Sequence, residues 1–312
     1  MTRSLKGSMV AIVTPMHEDG ELDLLAFREL VEWHIREGTS AIVVVGTTGE
    51  SATLTTQEHC DLVGYCVDVA NKRIPIIAGT GSNSTDEALY YTKSAEECGA
   101  DACLLVAPYY NKPTQEGLYN HFRLIAEEVD LPQILYNVPG RTACDMELDL
   151  IDRLADLDNI VALKDATGDI VRGKQLIDTC GERIQIYCGE DAITLELMKL
   201  GATGTISVTS NIAPGLMAEM CNLALANEFE LAGEIDEKLQ ILHRCLFLES
   251  NPIPVKWALN KMGRIKDGIR LPLMELSGMF HAELIKALKQ VDIDINALVV
   301  RENLRCYYQK FS

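Results

Sequence analysis

No run of about 18 consecutive apolar residues occurs anywhere in the 312-residue chain, so no membrane-spanning helix is expected. The opening Met1-Thr2-Arg3-Ser4-Leu5-Lys6-Gly7 lacks the apolar stretch of a secretion signal. Ten cysteines are present, yet none forms a Cys-x-x-Cys pair, and His and Cys show no zinc-like spacing. Most of them read as small buried hydrophobes of a reducing compartment, and a cytoplasmic protein without a metal is the expectation. Positive charge is short: 28 Lys and Arg stand against 46 Asp and Glu, a net charge of −18. Such a chain repels phosphate backbones and anionic lipid, which argues against nucleic acid and membrane surfaces as partners. A locally basic pocket for an anionic substrate is still compatible with this balance. Low-complexity segments and sequence repeats are missing too.

What is present is a soluble globular composition, 47% hydrophobic and 24% charged. Eight short apolar runs recur, at Met9–Val13, Ala41–Val45, Ile74–Ala78, Ala102–Val106, Gln133–Asn137, Ile160–Lys164, Arg183–Cys188 and Gly204–Val208. None alternates with polar residues, as befits strands buried on both faces. Helical patterns lie between them, over Leu24–Ile35, Cys60–Ala70, Glu87–Cys98 and Leu118–Val129. Eight βα units predict a closed (β/α)8 TIM barrel over residues 1–227. A doubly wound open sheet is the alternative, weakened because no Gly-x-Gly-x-x-Gly turn follows the first strand. Beyond Asn227 the strand signal stops. Leu231, Ile235, Leu239, Leu242 and Leu246 predict a helical core stripe, and Pro254–Met262 and Leu276–Gln290 predict further helices. A C-terminal helical domain over 228–295 and a tail over 296–312 are expected.

The chemistry collects at the ends of the strands, where such barrels carry their active sites. Lys164 closes the apolar run Ile160–Asp165. Burying an ammonium is expensive, and burial favours the neutral amine, a nucleophile able to form a Schiff base with a ketone. Snorkelling, or pairing with Asp165, is the plainer alternative for this lysine. Gly46-Thr47-Thr48-Gly49-Glu50-Ser51 follows the second strand with two glycines and two hydroxyls, and suits a carboxylate or phosphate. It lacks the Gly-Lys-Ser/Thr ending of a P-loop, and an ordinary capped turn would look similar. Tyr109-Tyr110 sits in a Pro-bounded loop after the fourth strand, where interface packing would also place aromatics. The fifth strand ends in Tyr136-Asn137-Val138-Pro139-Gly140-Arg141-Thr142. There the tyrosine can relay protons, and the arginine can clamp a carboxylate or simply pair at the surface.

Together these segments resemble the dihydrodipicolinate synthase / N-acetylneuraminate lyase family of class I aldolases over nearly the whole chain. The resemblance runs through Gly7–Pro15, Gly46–Leu54, Ala78–Gly81, Tyr136–Thr142, Leu163–Gly168 and Asn251-Pro252-Ile253-Pro254-Val255-Lys256. Arg141 points to the synthase branch, whose members carry arginine there to meet the carboxylate of the second substrate. The resemblance implies a Schiff base between Lys164 and pyruvate, with Thr47, Tyr136 and Tyr110 as proton relay, Tyr110 reaching into a neighbouring subunit. It implies that Thr48 holds the pyruvate carboxylate, that Arg141 holds aspartate semialdehyde, and that Gly189 and Ile206 line the pocket. No cofactor is implied.

A homotetramer is implied, with feedback inhibition by lysine at Ser51, Ala52, His59, Asn83, Glu87 and Tyr109. Thr56 replaces a histidine common in that helix, which implies weaker sensitivity. Asn83 and Glu87 would otherwise serve only as solvent-facing residues of a helix start. The competing readings are a sugar-acid lyase of the same barrel, and a catalytically silent paralogue that binds keto acids as a regulator.

Overall fold

In this computed structural model, residues 5–293 and residue 295 are described, so the expected tail at 296–312 lies outside the described residues. Eight strands form: β1 (Gly7–Ala11), β2 (Ala41–Val44), β3 (Ile76–Gly79), β4 (Ala102–Val106), β5 (Gln133–Asn137), β6 (Ile160–Asp165), β7 (Gln185–Cys188) and β8 (Gly204–Ser207). Each pairs in parallel with the next, and β8 pairs with β1, so the sheet closes on itself. That closure removes the open-sheet alternative. The first four crossovers are α1 (Leu24–Arg36), α2 (Thr56–Ala70), α3 (Thr85–Glu97) and α4 (Gln115–Glu128). The remaining ones use α5 (Pro139–Thr142), α6 (Leu148–Leu154), α7 (Ile170–Cys180), α8 (Thr194–Lys199) and α9 (Pro214–Leu225). Three helices follow: α10 (Phe229–Cys245), α11 (Ile253–Lys261) and α12 (Gly278–Gln290). No helix among the described residues is long and apolar enough to cross a membrane.

The two-residue period of the strands sorts their side chains between two cores. Met9, Val43, Ile77, Leu104, Ile134, Tyr136, Ala162, Tyr187 and Ile206 fill the barrel, while Val10, Ile42, Leu105, Leu135, Leu163 and Ile186 face the helices. Lys164, two residues after Ala162, therefore belongs to the interior face.

Several boundaries differ from the sequence reading for identifiable reasons. β2 stops at Val44 because Val45 turns to a φ of +50°, outside the strand region. β3 starts at Ile76, past Pro75, which has no N–H to give to a ladder. β7 starts at Gln185 because Arg183 and Ile184 still bond back to the Cys180 carbonyl at the end of α7. β8 ends at Ser207, where Val208 takes helical angles. β1 is shifted towards the N-terminus, and β6 runs one residue further, to Asp165. Helices begin ahead of their apolar stripes wherever a cap allows it. A Thr55–Glu58 capping box starts α2, and Ser84 and Thr114 cap α3 and α4. In α10, Leu239 and Leu242 are buried as expected, but Leu231 is 48% exposed and belongs to no core. It lies in the first turn, just after the α9–α10 corner at Asn227.

The helices after the barrel are joined to it by charge as well as by apolar packing. Lys256, on α11, forms an ion pair with Glu50 of the loop after β2, and both side chains are almost wholly excluded from water. Glu50 also accepts the Arg270 backbone N–H at 3.2 Å. The Arg270 guanidinium in turn grips Glu58 at 2.6 and 2.8 Å and the Thr53 carbonyl at 2.8 Å. Burial pushes the Lys256 ammonium down, and the Glu50 charge opposes that shift. Deleting one member of such a pair leaves the other charge stranded. Lys256→Met should therefore destabilise the fold by ~3–5 kcal/mol, read from urea unfolding, with partial recovery in the Glu50→Gln/Lys256→Met double variant.

Two buried histidines set an acid limit. His34 bonds Thr39 Oγ1 and His121 bonds Thr85 Oγ1, both at 2.9 Å, and neither Nε2 has a partner among the described residues. Burial holds His34 down to about 3, with help from the Arg264 charge, and His121 down to about 4. Unfolded histidine titrates near ~6.5, so the unfolded chain takes up protons first as pH falls. Stability should be fully present above about pH 6.5 and fall steadily towards pH 4. Urea midpoints across that range should show the decline, and a flat profile would refute this account.

Candidate active site

β6 delivers Lys164 into the C-terminal mouth of the barrel, 6% exposed, in register with Tyr136 on one side and Tyr187 on the other. Its Nζ lies 4.2 Å from the centroid of the Tyr136 ring. Among the described residues no carboxylate forms a salt bridge with it; the adjacent Asp165 points outward instead. There Asp165 accepts from Asn137 Nδ2 at 3.2 Å, Thr167 N at 3.1 Å and Arg172 Nε at 3.1 Å. The alternative of a Lys164–Asp165 pair is thereby set aside, as is snorkelling. The Nζ sits against an aromatic face in a site screened from water.

Gly189 follows β7 beside this lysine, and Ile206 lies in β8. A Cβ placed on Gly189 would lie 3.0 Å from Lys164 Cε and 2.6 Å from Ala166 Cβ. Only glycine leaves the lysine its position. Ile206 is buried within the barrel core.

The loop after β2 is shaped by strain and by its contacts with α11. Val45 holds a left-handed φ of +50°, unusual for a β-branched residue, and Glu50 one of +59°. Gly79 makes room for the first turn, since a Cβ there would meet the Val45 carbonyl oxygen at 2.5 Å. Gly49 and Ser51 return their N–H groups to the Gly46 carbonyl at 3.0 and 3.3 Å, and Glu50 returns its own to Thr47 at 3.1 Å. The amides of Thr47 and Thr48 join no such bond among the described residues. Two adjacent uncommitted N–H donors beside a hydroxyl suit a carboxylate.

Asn251 ties this loop to the opposite side of the mouth. Its Nδ2 donates to Thr48 Oγ1 at 2.9 Å, and its backbone carbonyl accepts from Arg141 Nη2 at 3.2 Å. Arg141 itself rides on α5, a single turn begun by Pro139 and closed by Ala143 at a φ of +55°. Neither Asn251 nor Lys256 is singled out by the chemistry of its own segment. The contacts of Asn251 with Thr48 and of Lys256 with Glu50 span about 200 residues of chain, and no local pattern encodes them.

Lys164, Tyr136, Thr47, Thr48, Arg141, Gly189 and Ile206 thus all lie on elements at one end of the barrel. Tyr110 does not join them within one chain: it is 89% exposed, at a φ of +76°. The residues expected to bind an inhibitor lie on neighbouring elements. Asn83 Nδ2 donates to the Tyr109 carbonyl at 3.1 Å, and Glu87 accepts from Ser82 Oγ. The α3 cap is Ser84, so Asn83 has a different task from the helix-start role considered for it. His59 is buried, bonds the Gly79 carbonyl at 2.8 Å and stacks on Tyr91 at 4.1 Å. Burial holds His59 below its usual range, which the Gly79 bond and the Glu87 charge oppose. Ser51 and Ala52 occupy the short 3-10 turn Ser51–Thr53.

Comparison with known proteins places this geometry among relatives. The "Dihydrodipicolinate synthetase family" model matches residues 4–291. The 4-hydroxy-tetrahydrodipicolinate synthase of Thioalkalivibrio sulfidiphilus is 57% identical over 291 residues, 93% of this chain and 99% of that protein. Among solved structures, the chloride-inhibited dihydrodipicolinate synthase from Acinetobacter baumannii, complexed with pyruvate, is 56% identical. It superposes with a TM-score of 0.92 over 93% of this chain and all of that one. The Cyanidioschyzon merolae enzyme with lysine bound is 37% identical, with a TM-score of 0.90 over 93% of this chain and 99% of its own. A buried lysine at the end of the sixth strand, the glycine-bounded loop after the second and full-length similarity at this level lead to one assignment: the chain belongs to the dihydrodipicolinate synthetase family.

Proposed function

We propose that this chain is a 4-hydroxy-tetrahydrodipicolinate synthase, condensing pyruvate with L-aspartate 4-semialdehyde in the first committed step of diaminopimelate and lysine biosynthesis. The observation that carries the reading is Lys164, buried beside the Tyr136 ring with no salt-bridge partner among the described residues. Full-length relatives named for this reaction support it, as does the pyruvate complex of the A. baumannii enzyme.

The steps follow from the placed groups. The Lys164 amine adds to the pyruvate ketone, water leaves, and an imine forms. Its carboxylate rests on the Thr47 and Thr48 amides and the Thr48 hydroxyl. The imine draws electrons from the neighbouring methyl, which loses a proton to give an enamine. That carbon attacks the aldehyde, forming the new C–C bond, and the aldehyde oxygen takes up a proton. The substrate amine then adds to the imine carbon, and Lys164 is expelled as the ring closes. Thr47 and Tyr136 carry the protons, and Tyr110 of a neighbouring copy completes the relay. Arg141 holds the carboxylate of the second substrate. The imine itself is the electron sink, so the proposed reaction draws on no metal or cofactor. Residues 1–227 hold this chemistry and residues 228–295 brace its mouth, in a cytoplasmic homotetramer arranged as a dimer of dimers.

Incubation with both substrates should yield the cyclised product by mass spectrometry, and borohydride should trap a pyruvate adduct on Lys164. Lys164→Ala should abolish turnover and trapping while circular dichroism stays unchanged; near-normal turnover in this variant would end the Schiff-base mechanism. L-lysine should slow the reaction, acting at Ser51, Ala52, His59, Asn83, Glu87 and Tyr109, with Thr56 weakening the response. A rate that does not change at saturating lysine would remove this regulatory site.

A further inference from the structure

The family match ends at residue 291, and the chain continues to residue 312. Residues 296–312 lie outside the described residues, but their composition is distinctive. They carry Arg301, Arg305 and Lys310 against a single acid, Glu302, in a chain whose net charge is −18. Val299, Val300, Leu304, Tyr307, Tyr308 and Phe311 make the same stretch apolar. A basic and apolar segment is suited to an apolar groove with an acidic rim.

Such a groove begins where the described chain ends. After α12, Ile293 and Ile295 pack against the outer core. Ile293 also borders a hollow lined by Trp33, Ile212, Pro214, Leu216 and Met262. A second hollow continues the first, since the two share Glu37 and Gly215. Gly215, Ala218, Asn222, Leu223 and Ala226 recur on α9 at three- and four-residue spacing, so they present one face of the helix to this groove. Its rim is acidic. Glu37, Glu219 and Glu228 are all exposed, and no lysine or arginine lines the second hollow. Glu37 accepts from Trp33 Nε1 at 3.0 Å, whereas the carboxylates of Glu219 and Glu228 pair with nothing among the described residues. The three do not converge as metal ligands, since no group able to hold a metal ion occurs among the described residues.

The distances suit the segment. From Gly215 to Ala226 the groove follows α9 for about 16 Å, at ~1.5 Å per residue. Arg301 stands six residues beyond Ile295, a reach of up to about 20 Å, with Arg305 and Lys310 further along. A second copy of the chain fits less well, because it would bring another net charge of −18 towards unpaired carboxylates.

We infer that the groove between the end of α1 and α9 binds residues 296–312 of the same chain. Arg301, Arg305 and Lys310 answer Glu37, Glu219 and Glu228, and the apolar residues among them cover the floor. α9 follows β8 and packs on β1, while α1 follows β1. The bound segment thus joins these two helices across the seam where β8 meets β1 and the barrel closes.

The test uses the full chain and a water-soluble carbodiimide, which joins a carboxylate to an adjacent amine with loss of water. Lys310 is the one lysine among residues 296–312. Mass spectrometry should find it coupled to Glu37, Glu219 or Glu228, in a product that runs as a single chain on a denaturing gel. Arg301→Glu/Arg305→Glu should cut this coupling at least about fivefold, as attraction at two positions becomes repulsion, while the circular dichroism spectrum stays unchanged. Adding Glu219→Lys and Glu228→Lys to that variant should restore coupling between segment and groove, with acid and amine exchanged. Coupling of Lys310 only to carboxylates elsewhere, or to none, would overturn the inference, and so would a charge exchange that restores nothing. Cross-linked dimers joined through Lys310 would overturn it as well, and would make a second copy the source of the occupant.

Discussion

The catalytic mouth depends on a charge pair that water does not reach. Glu50 stands in a left-handed conformation in the loop after β2, an arrangement that a non-glycine residue keeps only when its surroundings impose it. Lys256 and the Arg270 backbone impose it from outside the barrel. With Glu50 held, the turn from Val45 to Ser51 has one shape, and the two uncommitted amides of Thr47 and Thr48 follow from that shape. The helices after the barrel therefore do more than cover apolar surface. Their strongest polar contacts converge on one loop, and a buried pair of this kind specifies geometry more than it adds stability.

Placement of Lys164 obeys a related logic with the opposite sign. Among the described residues no anion is set against it by a salt bridge, and its strand neighbour Asp165 faces outward to a different network. Lys256 is buried and paired, whereas Lys164 is buried with its Nζ over the Tyr136 ring. A carboxylate stands opposite Lys256, and the face of an aromatic ring stands opposite Lys164. The two lysines show how one residue type serves structure or chemistry according to what stands opposite.

The barrel was legible in the sequence because each strand carries its own signal: a short apolar run bounded by glycine, proline or a cap. All eight runs are strands, and their edges moved only where a single residue intervened, such as Val45 or Pro75. Lys164, Arg141 and the Gly46–Ser51 loop were legible too, because their residue types are out of place in local structure. Asn251 and Lys256 were not. Asn251 reads as a turn residue and Lys256 as a surface cation on a helix. Their roles arise from partners far away in the chain, which periodicity does not record. Leu231 erred the other way: it kept the helical period yet lies at a corner with nothing to pack against.

Asn251 touches both Thr48 and Arg141. Under the proposed roles, those two residues receive the carboxylates of the two substrates, one from each. A single side chain and its own carbonyl thus set the separation between the two anchors, as the jaws of a calliper are set by one screw. The distance between the acid groups of any pair joined here is fixed before either arrives. Aldehydes one carbon longer or shorter would then be rejected by span, whatever their charge.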